Sequence, residues 1–159
     1  MTTTASQTAV PDGFKPVLFA NNPFLEQVGP LFGRLDGKDF VLGFRVETRH
    51  CNPGGTCHGG MLMTLADMLL ILGTNVQTEV HRYMTTVSAT VDFLAPAPAG
   101  SWLEGRVQVL RTTRSLIFVQ GTLALDGAAV MRTSGILKPV GESDPRFARR
   151  RIDPPTGHG

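Results

Sequence analysis

The stretch "GMLMTLADMLLILGTN" (residues 60–75) decides the fold of this chain. It contains no proline and almost no β-branched residues, and it is rich in Leu, Met and Ala, which favour helices. Apolar residues lie on nearly every side of the predicted helix, so we expect it to be buried on nearly every side. A helix of this kind needs other elements packed around it.

Four predicted strands follow this helix with no second helix between them. They lie at residues 85–96, 101–111, 115–125 and 128–140. Short turns between consecutive strands predict an antiparallel meander. Before the helix, "GRLDGKDFVLGFRVETR" (33–49) predicts a hairpin that turns at Asp36-Gly37. The fold class is therefore α+β, with an antiparallel sheet of five or six strands wrapped around one long central helix.

The chain is organised as one domain between two less structured ends. Residues 1–19 form a Thr/Ser-rich leader that we expect to be flexible, and residues 20–140 form the domain. A short helix is predicted over 21–29, with Asn22 as N-cap and Pro23 as its first residue. Residues 141–159 form an Arg-rich tail that we expect to be mostly disordered.

Composition and charge exclude several classes of function. The 159 residues carry a net charge of +2 and no basic-aromatic stripe, which argues against nucleic-acid binding. The longest apolar run, about residues 61–73, is shorter than the ~20 residues that span a membrane. The sequence has two cysteines and no recognisable export signal, so we expect a cytoplasmic protein.

The loop "RHCNPGGTCHGG" (49–60) at first suggests a metal site, because it holds two histidines and two cysteines. Structural zinc sites instead space two cysteines by two to four residues and add a second ligand pair elsewhere. Here five residues separate Cys51 from Cys57, and no second pair exists. We therefore expect no metal. A disulfide is not expected in a reducing compartment, and the thiols are interpreted as small packing residues.

The glycines and the acid of the helix point to catalysis. Gly59 and Gly60 stand at the helix N-terminus, where free N–H groups and the helix dipole can polarise a carbonyl. Asp67 lies in an apolar helix, where a carboxylate is costly unless it is paired or faces a site. It is either a catalytic carboxylate or a surface residue that contacts water. Gly60 and Asp67 are about 10.5 Å apart along the helix, which indicates a site shared across a two-fold interface.

The spacing of Asn52, Gly55, "HGG" (58–60) and Asp67 resembles that of the hotdog-fold acyl-CoA thioesterases, in particular the phenylacetic-acid-pathway (PaaI-like) group. The resemblance covers about residues 20–140 and includes "VDFLAPA" (91–97). It implies a hotdog fold and hydrolysis of an acyl- or aryl-CoA thioester to the free acid and coenzyme A. It implies no metal and no cofactor, because coenzyme A is part of the substrate.

The resemblance also implies roles for five residues. Asp67 would be the nucleophile or the general base, acting from the subunit opposite the loop, and the Gly59 N–H would polarise the thioester carbonyl. His58 would position the thioester or simply brace the loop. Asn52 would orient the water or the carboxylate, although Asn before Pro is also a turn former. Thr86 would assist the water or be an ordinary strand threonine.

Two further groups of residues would hold the substrate. The turn "RTTRS" (111–115) resembles the coenzyme A contact of the family, although a solvated turn is an alternative. Arg111 and Arg114 would bind phosphates, with hydroxyl hydrogen bonds from Thr112 and Ser115. The acyl pocket would be lined by apolar residues near the helix start, which are otherwise core residues: Met61, Leu62 and Met63.

The expected assembly is a homodimer formed by edge-to-edge sheet pairing, or a homotetramer formed as a dimer of dimers. Two rival functions remain. A non-catalytic acyl-CoA-binding hotdog protein would not need the carboxylate of Asp67. A hotdog acyl-thioester dehydratase or hydratase would need a histidine and an acid arranged for proton transfer at the β-carbon, and the helix carries no second acid.

Overall fold

The computed structural model describes residues 9–19 and 21–144. The predictions for the first part of the leader and for the Arg-rich tail from residue 145 onward lie outside these residues. The described chain forms two α-helices and seven strands: β1 (Lys15–Pro16), α1 (Pro23–Val28), β2 (Phe32–Asp36), β3 (Asp39–Arg45), α2 (Gly59–Thr78), β4 (Tyr83–Phe93), β5 (Trp102–Thr112), β6 (Ile117–Leu125) and β7 (Ala128–Val140).

The elements before α2 form as their local signals predict. The Asn22 side chain accepts the Leu25 N–H at 3.2 Å, and Pro23 occupies the first turn of α1. The β2–β3 hairpin closes where Asp36 faces Asp39, and Gly37 adopts a φ of 62° that favours glycine. The short helix and the hairpin are therefore confirmed.

The seven strands form one antiparallel sheet in the order β1-β2-β3-β5-β6-β7-β4. Strands β5, β6 and β7 are the predicted meander. Strand β4 pairs with β7 and not with β5, so the prediction of a four-stranded meander is wrong. The alternation of apolar and polar residues identifies each strand, but it holds no information on which strands are neighbours. The two-residue β1 adds one strand to the expected five or six.

Helix α2 packs across one face of this sheet, as expected of a hotdog fold. It begins one residue before the predicted start and ends three residues after the predicted end. Leu65, Leu69 and Leu70 are fully buried between α2 and the sheet. The helix is long and apolar enough to cross a membrane, with a mean hydropathy of 1.4, but half of its apolar segment is buried inside the protein. Its apolar character is therefore explained by the core.

One side of α2 is not covered by the sheet, so the expectation of burial on nearly every side is wrong within one protomer. Met63 is 54% exposed, Gly60 is exposed, and Thr64 and Asp67 are half-buried. These residues recur at intervals of three and four and form a single stripe. We call it the open stripe. It exists because a single sheet covers only one side of a helix.

The C-terminal end of α2 is fastened to β5 by Gln77. Strand β5 pairs with β3 only up to Gly105 on that side. Beyond it, the Gln77 amide donates to the carbonyl of Val107 at 2.9 Å and accepts the Val109 N–H at 3.0 Å. One side-chain amide thus replaces a neighbouring strand at this point.

Candidate active site

The loop before α2 is braced by its own side chains. Its backbone forms an isolated antiparallel bridge between Cys51 and Cys57. The Asn52 side-chain oxygen accepts the N–H groups of Gly54 at 2.9 Å and Thr56 at 3.3 Å, and its amide donates to the Thr56 hydroxyl at 3.1 Å. In the described protomer the polar contacts of Asn52 thus lie within the loop, which fits the alternative of a turn former. Its role in orienting the water or the carboxylate stays a prediction.

The start of α2 leaves one backbone donor open. His58 is the N-cap, and its Nδ1 accepts the Gly60 N–H at 2.9 Å. The N–H groups of Met61 and Leu62 both donate to the His58 carbonyl. The Gly59 N–H finds no acceptor within the described part of the chain. Of the two glycines, Gly59 is therefore the one whose N–H is free to bind a ligand.

The acid on α2 has a specific partner. Asp67 lies on the open stripe, half-buried, and its Oδ1 accepts a hydrogen bond from the Thr86 hydroxyl at 2.5 Å. Thr86 directly precedes a β-bulge at Val87 in β4. The irregularity breaks the strict alternation of β4 next to the residue that contacts Asp67.

Gly59 and Asp67 do not meet within one protomer. They are eight residues apart on α2, or about 12 Å along the helix axis. A reacting carbonyl and its attacking atom must approach to ~3–3.5 Å. One chain therefore carries both halves of the predicted site, Gly59 and Asp67, but holds them too far apart to act on the same carbonyl.

Phe93 lies beside the candidate site, although the sequence did not single it out. A Cβ atom added at Gly59 would lie 3.3 Å from the Phe93 ring, so the ring contacts the glycine. The side chain is 53% exposed although it ends an apolar strand pattern. The sequence could not show this contact, because it depends on where β4 lies relative to the start of α2.

The predicted coenzyme A turn is an exposed cationic turn. Thr113 closes it, since its hydroxyl accepts the Leu116 N–H at 3.0 Å. The side chains of Arg111 and Arg114 are exposed and have no ion pair or hydrogen bond in the described chain. Every other described arginine has a carboxylate or carbonyl partner. Thr112 and Ser115 are exposed in the same turn.

The three residues predicted for the acyl pocket do not share one environment. Met61 and Leu62 are buried in the main core cluster, whereas Met63 lies on the open stripe. Met63 is four residues from both Gly59 and Asp67, so it lies between them on one helix face. A surface hollow of about 660 Å³ lies elsewhere, among polar side chains of β4 to β7, and contains none of the predicted site residues.

Two further side chains of the loop, His50 and Cys57, are buried. Burial, followed by the nearby charge of Arg49, lowers the pKa of His50, and its Nδ1 accepts the Glu47 N–H at 2.9 Å. Burial, with a smaller effect of Cys51, raises the pKa of the Cys57 thiol to about 11. Among the described residues no group of three His, Cys, Asp or Glu side chains could hold a metal ion.

A family profile and a related protein both match this chain. The profile of the thioesterase superfamily matches residues 54–129. A Pseudomonas aeruginosa protein named "Putative esterase PA0474" is 38% identical over 128 residues, which cover 80% of this chain and 95% of that protein.

Solved structures share the fold. The E. coli PaaI protein from the phenylacetic acid degradation operon superposes with a TM-score of 0.68 and 23% identity, over 77% of this chain and 88% of that chain. A hypothetical thioesterase from Streptococcus pneumoniae, solved with coenzyme A, gives a TM-score of 0.59 and 17% identity, over 66% of this chain and 83% of that chain.

Proposed function

The chain belongs to the thioesterase superfamily and is a thioester hydrolase, and we propose that it hydrolyses an acyl- or aryl-CoA to the free acid and coenzyme A. One observation carries the proposal. The open stripe of α2 presents a carboxylate held by a hydroxyl, Asp67 with Thr86, and the same helix begins with the unoccupied N–H of Gly59. These are the acid and the carbonyl-polarising donor that thioester hydrolysis needs.

Asp67 is proposed to act as nucleophile or as general base on water. Its hydrogen bond from Thr86 fixes the orientation of Oδ1 and leaves Oδ2 for the substrate or the water. Both routes are chemically open to a half-buried carboxylate. In either route Thr86 is a positioning residue, because its contact is with the carboxylate.

Gly59 is proposed to donate its N–H to the thioester oxygen, where negative charge develops during the reaction. His58 holds the helix start in place through its contact with Gly60, and its exposed ring stands beside the donor. Asn52 supports the same geometry indirectly, by bracing the loop that leads into His58. No cofactor is required for these steps.

The complete site is proposed to form between two protomers. In the described residues β4 pairs with β7 on one edge, and its other edge has no strand partner. Thr86, beside Asp67, lies near one end of this strand, and Phe93, beside Gly59, lies at the other. If two copies of β4 pair antiparallel about a two-fold axis near Thr90, Phe93 of one protomer faces the bulge after Thr86 of the other.

This pairing would bring the Gly59 end of one protomer to the Asp67 end of its partner. It would also cover exposed apolar side chains of β4, such as Val87 and Phe93. A strand of 11 residues with one exposed, unpaired edge is otherwise an aggregation hazard. The proposed unit is therefore a homodimer with two shared sites, alone or as half of a homotetramer.

The substrate is proposed to bind at two places. Arg111 and Arg114 are unpaired cations suited to the phosphates of coenzyme A, and Thr112 and Ser115 add hydroxyl donors beside them. The presence of coenzyme A in the Streptococcus pneumoniae structure agrees with this choice of substrate. Met63 and the Phe93 ring would form the apolar wall for the acyl group, while Met61 and Leu62 support it from the core.

The test is release of free thiol from a panel of short-chain, medium-chain and aromatic acyl-CoAs. We expect hydrolysis of at least one class, and a loss of about 10²- to 10⁴-fold in Asp67→Asn. Asp126→Asn is the matched control, because Asp126 is exposed in a turn and adopts a φ of 49° that asparagine tolerates. No hydrolysis of any substrate would refute the function. Unchanged activity in Asp67→Asn would refute the mechanism.

The shared site has a separate test by subunit mixing. Asp67→Asn and Gly59→Pro protomers are each expected to be inactive alone, since proline removes the N–H but suits the first turn of a helix. Random mixing of equal amounts makes half the dimers mixed, each with one intact site, so activity should return to about a quarter of wild type. Gly59→Ala keeps the N–H and controls for the added Cβ. Verified mixed dimers without activity would refute the geometry.

A further inference from the structure

Cys51 and Cys57 face each other directly across the loop before α2. The Asn52 N–H donates to the Thr56 carbonyl at 2.8 Å, and the His58 N–H donates to the His50 carbonyl at 2.8 Å. These two bonds flank the Cys51–Cys57 bridge, which makes it a non-hydrogen-bonded antiparallel pair.

The geometry of such a pair suits a disulfide. Opposed residues at non-hydrogen-bonded positions have Cα atoms about 4.5 Å apart and side chains on the same face. Disulfides need Cα atoms ~4.4–6.8 Å apart. Both thiols are free, and the hydrogen bonds of their sulfurs within the described residues go to backbone carbonyls, that of Glu47 for Cys51 and that of His58 for Cys57.

We propose that Cys51 and Cys57 are a dithiol site that exchanges with low-molecular-weight disulfides, such as oxidised glutathione, to form a reversible intramolecular disulfide. Neither thiol has a place in the hydrolytic site. The reaction would tie the two sides of the loop together immediately before His58. This bond is independent of the proposed hydrolysis.

The two thiols differ in accessibility, and this sets the order of steps. Cys51 is half-exposed, whereas Cys57 is buried and its raised pKa disfavours the thiolate. The thiolate of Cys51 attacks one sulfur of the small disulfide, whose S–S bond breaks and releases one thiol. Cys57 then loses its proton and attacks the Cys51 sulfur, which releases the second thiol. The protein is oxidised by two electrons, and the small disulfide is reduced to two thiols.

The test uses the full chain incubated with oxidised glutathione, followed by intact-mass measurement and titration of free thiols. We expect the wild type to lose the mass of two hydrogens, to fall from two free thiols to none, and to recover both on addition of dithiothreitol. Cys57→Ser should stop at a mixed disulfide on Cys51. Cys51→Ser should remain unmodified, because its remaining thiol is buried.

Three results would overturn the proposal. The first is a wild type that keeps both thiols under conditions that modify Cys57→Ser. The second is a wild type that stops at the mixed disulfide, and the third is a wild type that forms only disulfides between chains. Digestion with trypsin locates the bond, because both cysteines lie in one peptide between Arg49 and Arg82. An internal disulfide blocks alkylation of this peptide at both positions until it is reduced.

Discussion

Replacing Thr86 with valine tests the contact that orients the carboxylate. Valine has the shape of threonine and a high preference for strands, so the change removes the hydroxyl and little else. The lost bond is the 2.5 Å contact to Oδ1 of Asp67. A hydrogen bond to a charged group contributes about 1.5–3 kcal/mol. If that energy is lost from the transition state, kcat/KM falls about 10- to 150-fold. Because Asp67 is only half-buried, we expect the lower half of this range.

The assay is thiol release from the best acyl-CoA, with kcat and KM measured separately. A positioning residue should lower kcat and leave KM nearly unchanged. Thr86→Ser keeps a hydroxyl and should recover most of the activity. Thr85→Val is the neighbouring control, because the Thr85 hydroxyl contacts only the carbonyl of Lys138, at 3.3 Å, among the described residues. A folded Thr86→Val protein with wild-type kcat would refute the assigned role.

Three further predictions concern binding and stability. Replacing Arg111 and Arg114 together with glutamine should raise KM for acyl-CoA about tenfold or more, and leave KM for a thioester lacking the nucleotide unchanged; an equal rise for both substrates would contradict phosphate binding. Gln77→Leu should lower the free energy of unfolding, measured in urea, by about 2–4 kcal/mol, because it leaves the Val109 N–H and the Val107 carbonyl without partners. A loss under about 1 kcal/mol would contradict this. The pKa of His50 is lowered from 6.5 in the folded protein, so its contribution to stability is present above pH 6.5 and is lost as the pH falls below it; His50→Gln should flatten that part of the stability profile.

Local patterns in the sequence were sufficient to predict the individual helices and turns. Asn22 caps α1, and the hairpin turns next to Gly37, because caps and turns depend on residues within a few positions of each other. The apolar run predicted α2, and the double glycine predicted where it begins to within one residue. The spacing from Gly60 to Asp67 likewise predicted that the two halves of the site are separated along the helix.

The contacts that define the site arise from tertiary structure. Asp67 meets Thr86 across 19 residues, because β4 lies at the sheet edge beside β7 and carries its threonine up to the helix. Phe93 reaches Gly59 for the same reason. Strand periodicity gives the face of each side chain but not the order of strands. The sequence by itself therefore determined the elements and the candidate acid, and the tertiary structure decided which side chains they contact and which stripe of α2 stays open.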